Sequence, residues 1–168
     1  MTYMTDAPQA DHPVARSGGA GMGGNDATGA LMGGQYRLRR LGARPLAFAG
    51  IELGMAMSYT SALPYWFEIN LYRASDGTFP VSIKQFYQSS EEKDLARAWV
   101  APTLDEALEI VENFDPAHDV PVSLSLLGSD MSAAEMEAAA FDLQAQVEHA
   151  RTHYKTLVGE FFHGMDGA

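Results

Sequence analysis

Two period-two runs on either side of Ser75-Asp76-Gly77 constrain this chain more than any other feature of it. Phe67, Ile69 and Leu71 alternate with Glu68 and Asn70, and Val81 and Ile83 alternate with Ser82 and Lys84. Alternation of that period marks a strand with one face in a core. The link between the runs decides their register. A three-residue loop, a type I turn closed by a left-handed glycine, puts Gly77 where positive φ is needed and pairs Ala74 with Thr78. Ile69 then faces Ile83 and Leu71 faces Val81, while Glu68 faces Lys84, Asn70 faces Ser82 and Trp66 faces Phe86 on the other side. A two-residue Asp-Gly loop would set Ile69 against Lys84 and Leu71 against Ser82, mixing the faces. The spacing therefore predicts a three-residue hairpin.

Downstream, a third short strand is expected from Leu95 to Ala101, stopped by Pro102. Thr103-Leu104-Asp105-Glu106 reads as a capping box. The helix after it lines up Leu104, Ala107, Ile110, Val111 and Phe114 on one face and ends at Asp115-Pro116. Val120, Val122, Leu124 and Leu126 alternate with Pro121, Ser123 and Ser125, which predicts a fourth strand; Pro121 has no donor, which suits an edge position or a strand start. Ser132-Ala133-Ala134-Glu135 is a second capping box, with Met131 and Met136 spaced as a hydrophobic staple. Ala133, Met136, Ala140, Leu143, Val147, Ala150, Tyr154, Leu157 and Phe161 then recur at alternating spacings of three and four, an unbroken heptad seam. The class is α+β. A small, mostly antiparallel sheet in the order β-β-β-α-β-α carries a long amphipathic C-terminal helix.

The strand–Asp-Gly–strand–short strand layout, followed by Thr-Leu-Asp-Glu-Ala-Leu at 103–108, resembles that of HicB-type antitoxin domains over residues 65–114. It also resembles the meander of WGR-type domains, although their Trp-Gly-Arg triplet is absent. Both resemblances imply a sheet with a helix packed on it, and neither assigns a role to any residue here.

Residues 1–34 hold eight of the sixteen glycines and few large apolar side chains. Such a segment buries too little surface to offset its chain entropy, so it is expected to be a disordered arm. Residues 35–64 form a connecting segment, basic and then apolar, expected to pack on the α+β domain at 65–163, with its apolar stretch at 45–63 helical or irregular. Gly50 and Gly54 would allow close backbone approach there. The apolar run from Pro45 to Trp66 contains Glu52 and is diluted by glycine, serine and threonine. A central carboxylate costs ~2.5–3.5 kcal/mol on insertion scales, so a core segment is expected there and no membrane span. The N-terminus lacks the apolar run of a secretory signal, so the expected compartment is the cytoplasm.

Function is constrained mostly by exclusion. Cysteine is absent, which removes disulfides, thiolate metal sites and thiol nucleophiles. With 11 Lys+Arg against 22 Asp+Glu the net charge is −11, which disfavours general binding to nucleic acid or anionic membranes. Gly19, Gly21 and Gly24 match G-x-G-x-x-G without the strand before and helix after that a dinucleotide site needs. Asp105, Glu106, Glu109 and Glu112 read as the solvated face of a helix.

Three features remain. His149 and His153 lie four apart on one face of the last helix and could share a metal, with Asp142 and Glu160 a heptad away. Arg37, Arg39 and Arg40, with Arg44, form the basic cluster, suited either to a phosphate or acidic partner or to this domain's own acids. Leu143, Val147, Tyr154, Leu157 and Phe161 continue the seam further than a short sheet could cover, and this predicts pairing with a protein partner or a second copy over 133–161.

The leading expectation is a non-enzymatic acidic accessory or regulatory protein, with no cofactor, that acts through its long helix. The alternatives are a metal-dependent enzyme using His149 and His153 at a subunit interface, and an antitoxin-like or DNA-mimic regulator that binds a basic partner.

Overall fold

A computed structural model describes residues 33–120 and 131–166. Five strands form one antiparallel sheet: β1 (Gly34–Leu38), β2 (Leu46–Met57), β3 (Tyr65–Ala74), β4 (Phe79–Tyr87) and β5 (Leu95–Ala101), side by side in chain order. Helix α1 (Leu104–Asn113), a 3₁₀ turn at Pro116–Asp119 and helix α2 (Ala133–Asp166) follow. The fold is α+β, as the pattern implies. The expected arm at 1–34 falls almost wholly outside the described residues, and so do the G-x-G-x-x-G match and nearly all of the expected fourth strand at 120–126; Gly34 already belongs to β1.

The central hairpin has the expected register. Ile69 pairs with Ile83, Leu71 with Val81, Glu68 with Lys84, Asn70 with Ser82 and Trp66 with Phe86. The Ala74 N–H donates to the Thr78 carbonyl at 2.8 Å, and Gly77 takes φ +86°. Phe67, Ile69, Leu71, Val81 and Ile83 are buried on one face beneath the helices. On the opposite face Leu38, Tyr72 and Ala98 form a second small core with Tyr36, Leu46 and Phe48. The sheet coils around that second face, so the chain just after β1 reaches the far edge: the Leu41 N–H donates to the Ala96 carbonyl at 2.7 Å.

The stretch at 45–63 is not helical, and most of it is regular strand, so residues 35–64 are more than a connector. They supply β1 and the twelve-residue β2. The alternation is hidden by a bulge: Glu52 pairs with Tyr72 but Gly54 with Leu71, leaving Leu53 as the extra residue. Before the bulge the large apolar residues Leu46 and Phe48 join the second core; after it Leu53 and Ala56 pack against the first. The phase flips mid-strand, so no single period survives. Gly50 and Gly54 do mark close approaches. A Cβ on Gly50 would stand 2.3 Å from the Arg73 carbonyl oxygen, and one on Gly54 would stand 2.7 Å from Met165 Sδ on α2.

Helix α1 starts at the Thr103 cap, whose hydroxyl accepts from the Glu106 N–H at 3.2 Å, and it buries Ala107 and Val111. Asp105, Glu106, Glu109 and Glu112 are all exposed. At the start of α2 the capping box closes in both directions. The Ser132 N–H donates to Glu135 Oε2 at 2.8 Å, and the Glu135 N–H donates to Ser132 Oγ at 3.3 Å.

The heptad seam is split in two by the sheet. Ala150, Tyr154, Leu157 and Phe161 are buried in this chain's own core. Tyr154, Leu157 and Phe161 are therefore not a partner surface, because burying each large side chain against β2, β3 and α1 is worth ~1.5–3 kcal/mol here. The C-terminal end of α2 folds back onto β2, which sequence reasoning had assigned to no sheet. The half left largely uncovered is the first one. From Ser132 to His149 only Ala139, Leu143 and Val147 are partly covered, while Met136 is 50% and Phe141 64% exposed.

Candidate functional site

The two histidines lie where the exposed and docked halves of α2 meet, over the start of β3. Tyr65, on the same sheet face as Phe67, points at them: its hydroxyl and His149 Nδ1 are 3.0 Å apart and hydrogen-bonded. The imidazoles are nearly parallel, 9° apart in plane with centroids at 6.3 Å. His153 lies deeper, edge-on to Tyr65 at 5.9 Å and tilted against Phe67 at 5.9 Å. Its Nε2 is buried without a hydrogen-bond partner. Burial, and secondarily the neighbouring His149, lowers its pKa, so His153 favours the neutral form.

As a metal centre this arrangement is incomplete among the described residues. Among the described residues no group of three His, Cys, Asp or Glu side chains converges, so Asp142 and Glu160 do not complete the pair. A metal on His149 and His153 would need ligands from beyond the described residues.

Beside the histidines opens a cleft of about 570 Å³ between the β3 and β4 ends of the sheet and the underside of α2. Tyr65, Gln85, Tyr87 and Glu92 form the sheet side, and Gln146 and His149 the helix side. The Tyr87 hydroxyl donates to the Asp119 carbonyl at 3.4 Å. Burial first, and then Glu92 and Asp119, push its pKa up to about 12, and burial raises that of Tyr65. Both phenols are therefore neutral donors or acceptors. Gln85 is only 6% exposed, and its side-chain carbonyl has no partner among the described residues. Asp119 itself is held by the Arg97 guanidinium, whose Nε donates to it at 3.3 Å.

Sequence reasoning found the histidines but missed Tyr65 and Gln85. A signal existed for both. Each has the parity of the core face, Tyr65 with Phe67 and Gln85 with Ile83, and a carboxamide at a core position asks for a partner.

The basic cluster is separate from this site. Arg37 lies on β1 and Arg39 just after it, both exposed; Arg40 donates through Nε to the Arg44 carbonyl at 2.8 Å. Among the described residues none of Arg37, Arg39 and Arg40 pairs with an acid, the ion pairs being Lys84–Glu68, Arg97–Asp119 and those of Arg151 with Asp115 and Glu148. The aromatic residues divide between the faces. Trp66 stacks on Phe86 at 5.3 Å and Tyr72 enters the second core, whereas Trp99 pairs with Val81 on the helix-covered face and meets Phe114.

No family model, no curated protein and no solved structure matches this chain. Among the described residues no helix is long and apolar enough to cross a membrane.

Proposed function

We propose that this chain is a non-enzymatic accessory protein that docks a basic amphipathic helix of a different protein along the first half of α2. The observation that carries the proposal is the seam of Met136, Ala140, Leu143 and Val147, of which Met136, at 50%, and Ala140 are exposed and Leu143 and Val147 are only partly covered. At ~100° per residue these four lie within ~40° of one line on the helix, while Glu135 and Asp142 flank it on one side and Glu137 and Glu148 on the other. No lysine or arginine stands between Arg97 and Arg151.

That charge pattern chooses the occupant. A second copy of α2 would bring carboxylate rows against carboxylate rows, whereas a helix with lysines or arginines beside its apolar stripe would meet them favourably. Of the residues first read as partner-binding, Leu143 and Val147 belong to this surface.

The test is binding of a synthetic helical peptide with leucines at the a and d positions and lysines at e and g, with a glutamate version as control. Light scattering should find the chain alone monomeric at ~10 μM, below the ~1 mM range of weak self-association. The lysine peptide should bind, less tightly as salt rises, and the glutamate peptide should not. Leu143→Glu discriminates further. It adds negative charge, so nonspecific electrostatic attraction would hold or strengthen, whereas docking on the seam should be lost. Binding that survives Leu143→Glu, or self-association through α2, would refute the proposal.

A further inference from the structure

We propose that the cleft between Tyr65, Tyr87 and α2 is a binding site for a small organic cation, a primary or secondary ammonium carried on a flat apolar body. The site uses residues other than the exposed seam, and it goes beyond the helix-docking reading without depending on it. Three features argue for it.

The first is size and shape. About 570 Å³ falls within the ~300–1,000 Å³ typical of small-molecule sites. The space exists because the helix side contributes Ala145 and Ala150 opposite the sheet. The Tyr65 and Tyr87 rings, with centroids 6.5 Å apart and planes at 56°, give it two aromatic walls suited to a flat apolar group.

The second is the unpartnered carbonyl of Gln85. Its Oε1 is shielded from water and has no hydrogen-bond partner among the described residues, and the Gln85 side chain belongs to the lining of the cleft. A small turn of the carboxamide toward the cleft would let an N–H or O–H of a bound molecule satisfy it. An ammonium group supplies such a donor, and a carboxylate or phosphate does not.

The third is charge. Among the described residues lining the cleft, Glu92 is the carboxylate, and none is a lysine or arginine. The neighbouring Asp94 accepts from the Tyr87 N–H at 3.2 Å, which adds a second carboxylate close by. Neutral tyrosine faces and a carboxylate at the rim together favour a cation, through cation–π attraction and ion pairing. An anion would meet repulsion from Glu92.

The probes are 2-phenylethylammonium, neutral 2-phenylethanol and anionic 3-phenylpropionate, which share a body and differ in charge. Affinities are read from the rise in melting temperature and from shifts of the Gln85 side-chain amide resonances. The ammonium should bind about fivefold more tightly than the alcohol, the ratio an exposed ion pair supports, and the carboxylate should bind most weakly. Glu92→Gln should bring ammonium and alcohol within about twofold of each other, since it removes the charge and keeps the shape. Gln85→Leu should weaken the ammonium, and Ala145→Trp, at an exposed helix position, should fill the cleft and abolish all binding.

Should Gln85→Leu fail to fold, Glu92→Gln and Ala145→Trp still decide the matter. The proposal is overturned if the ammonium does not bind at about 10 mM, far above the concentrations of a built site. It is equally overturned if the carboxylate binds as well as the ammonium, or if ammonium binding survives Ala145→Trp. Lysine-peptide binding to the α2 seam should be unchanged in Glu92→Gln, which keeps the two proposals separable.

Discussion

Replacing Gly50 with alanine distinguishes a strand from a helix at that position by the sign of the effect. In a helix interior alanine is favoured over glycine by ~1 kcal/mol, so a helical segment at 45–63 would be stabilised. On β2 the new Cβ would instead stand 2.3 Å from the Arg73 carbonyl oxygen and 2.9 Å from the Ala74 Cα. Both are backbone atoms of β3, which no rotamer change can move. Relief requires β2 to withdraw by on the order of 1 Å, since contacts of this kind are comfortable only near 3.5 Å. That shift strains the neighbouring bond from the Ser75 N–H to the Ala49 carbonyl, now 2.8 Å. Overpacking at ~1–3 kcal/mol and a lost hydrogen bond at ~1 kcal/mol give a cost of ~2–4 kcal/mol. Gly77→Ala is the internal control. With φ at +86° and nothing within 4 Å of a new Cβ, it loses ~1 kcal/mol through backbone conformation alone. Urea denaturation of the three proteins, with equal slopes required, measures both. A Gly50→Ala protein as stable as the parent, or no worse than Gly77→Ala, would refute the assignment of β2.

Asp115 accepts two hydrogen bonds from Arg151, at 3.0 and 2.7 Å, and one from the Ala117 N–H at 3.0 Å. The Arg151 bonds, foremost, lower its pKa from 3.8 to about 2. A depressed carboxylate contributes stability above its unfolded pKa, near 3.8, and loses it as pH falls through about 2. The pair is partly exposed, so solvent screening reduces the full linkage value to ~1 kcal/mol. Asp115→Asn, which keeps an oxygen for Ala117, should therefore be ~1 kcal/mol less stable than the parent at pH 6 and equal to it near pH 2; a deficit that persists at pH 2 would contradict the charge argument. Tyr154→Phe removes the 2.8 Å hydrogen bond from a buried hydroxyl to the Val111 carbonyl in the last turn of α1, where helical carbonyls lack intrahelical donors. The expected loss is ~1–3 kcal/mol by thermal or chemical unfolding, and a silent substitution would show that carbonyl to be satisfied otherwise.

Where a local rule and the tertiary environment agree, this fold was legible. The 65–87 hairpin was readable to the individual pair because alternation and turn chemistry give one register. β5 was bounded by Pro102, and both helices begin at side-chain caps. Residues 35–64 were opaque because the bulge at Leu53 reverses the strand's facing, and because Gly50 and Gly54 contribute close approach in place of side chains. The seam of α2 was legible as a stripe, but a stripe carries no information about what covers it. With β2 unrecognised, the sheet seemed too small for Tyr154, Leu157 and Phe161, and the uncovered end was placed at the wrong terminus. The candidate site was half legible. Spacing alone pairs His149 with His153, but only the packing of α2 on the start of β3 brings Tyr65 and Gln85 beside them.

One continuous helix divided between core and solvent raises the question of why its free half is helical at all. Isolated helices shorter than ~12–15 residues are marginal in water, because the first turn fixes several residues for one hydrogen bond. Here that nucleation is already provided by Ala150, Tyr154, Leu157 and Phe161 in the core, and the Arg151–Asp115 pair ties the same turn to the α1–3₁₀ junction. Extension toward the N-terminus then adds one hydrogen bond per residue through an alanine-rich stretch, Ala133, Ala134, Ala138, Ala139 and Ala140, which loses little side-chain entropy. The Ser132–Glu135 box satisfies the far end. A partner that docks on Met136, Leu143 and Val147 therefore meets a surface already ordered, and the entropy of forming the helix does not weaken binding. The same rigidity fixes Ala145, Gln146 and His149 over the cleft, because they lie on the segment that joins the anchored half to the free one.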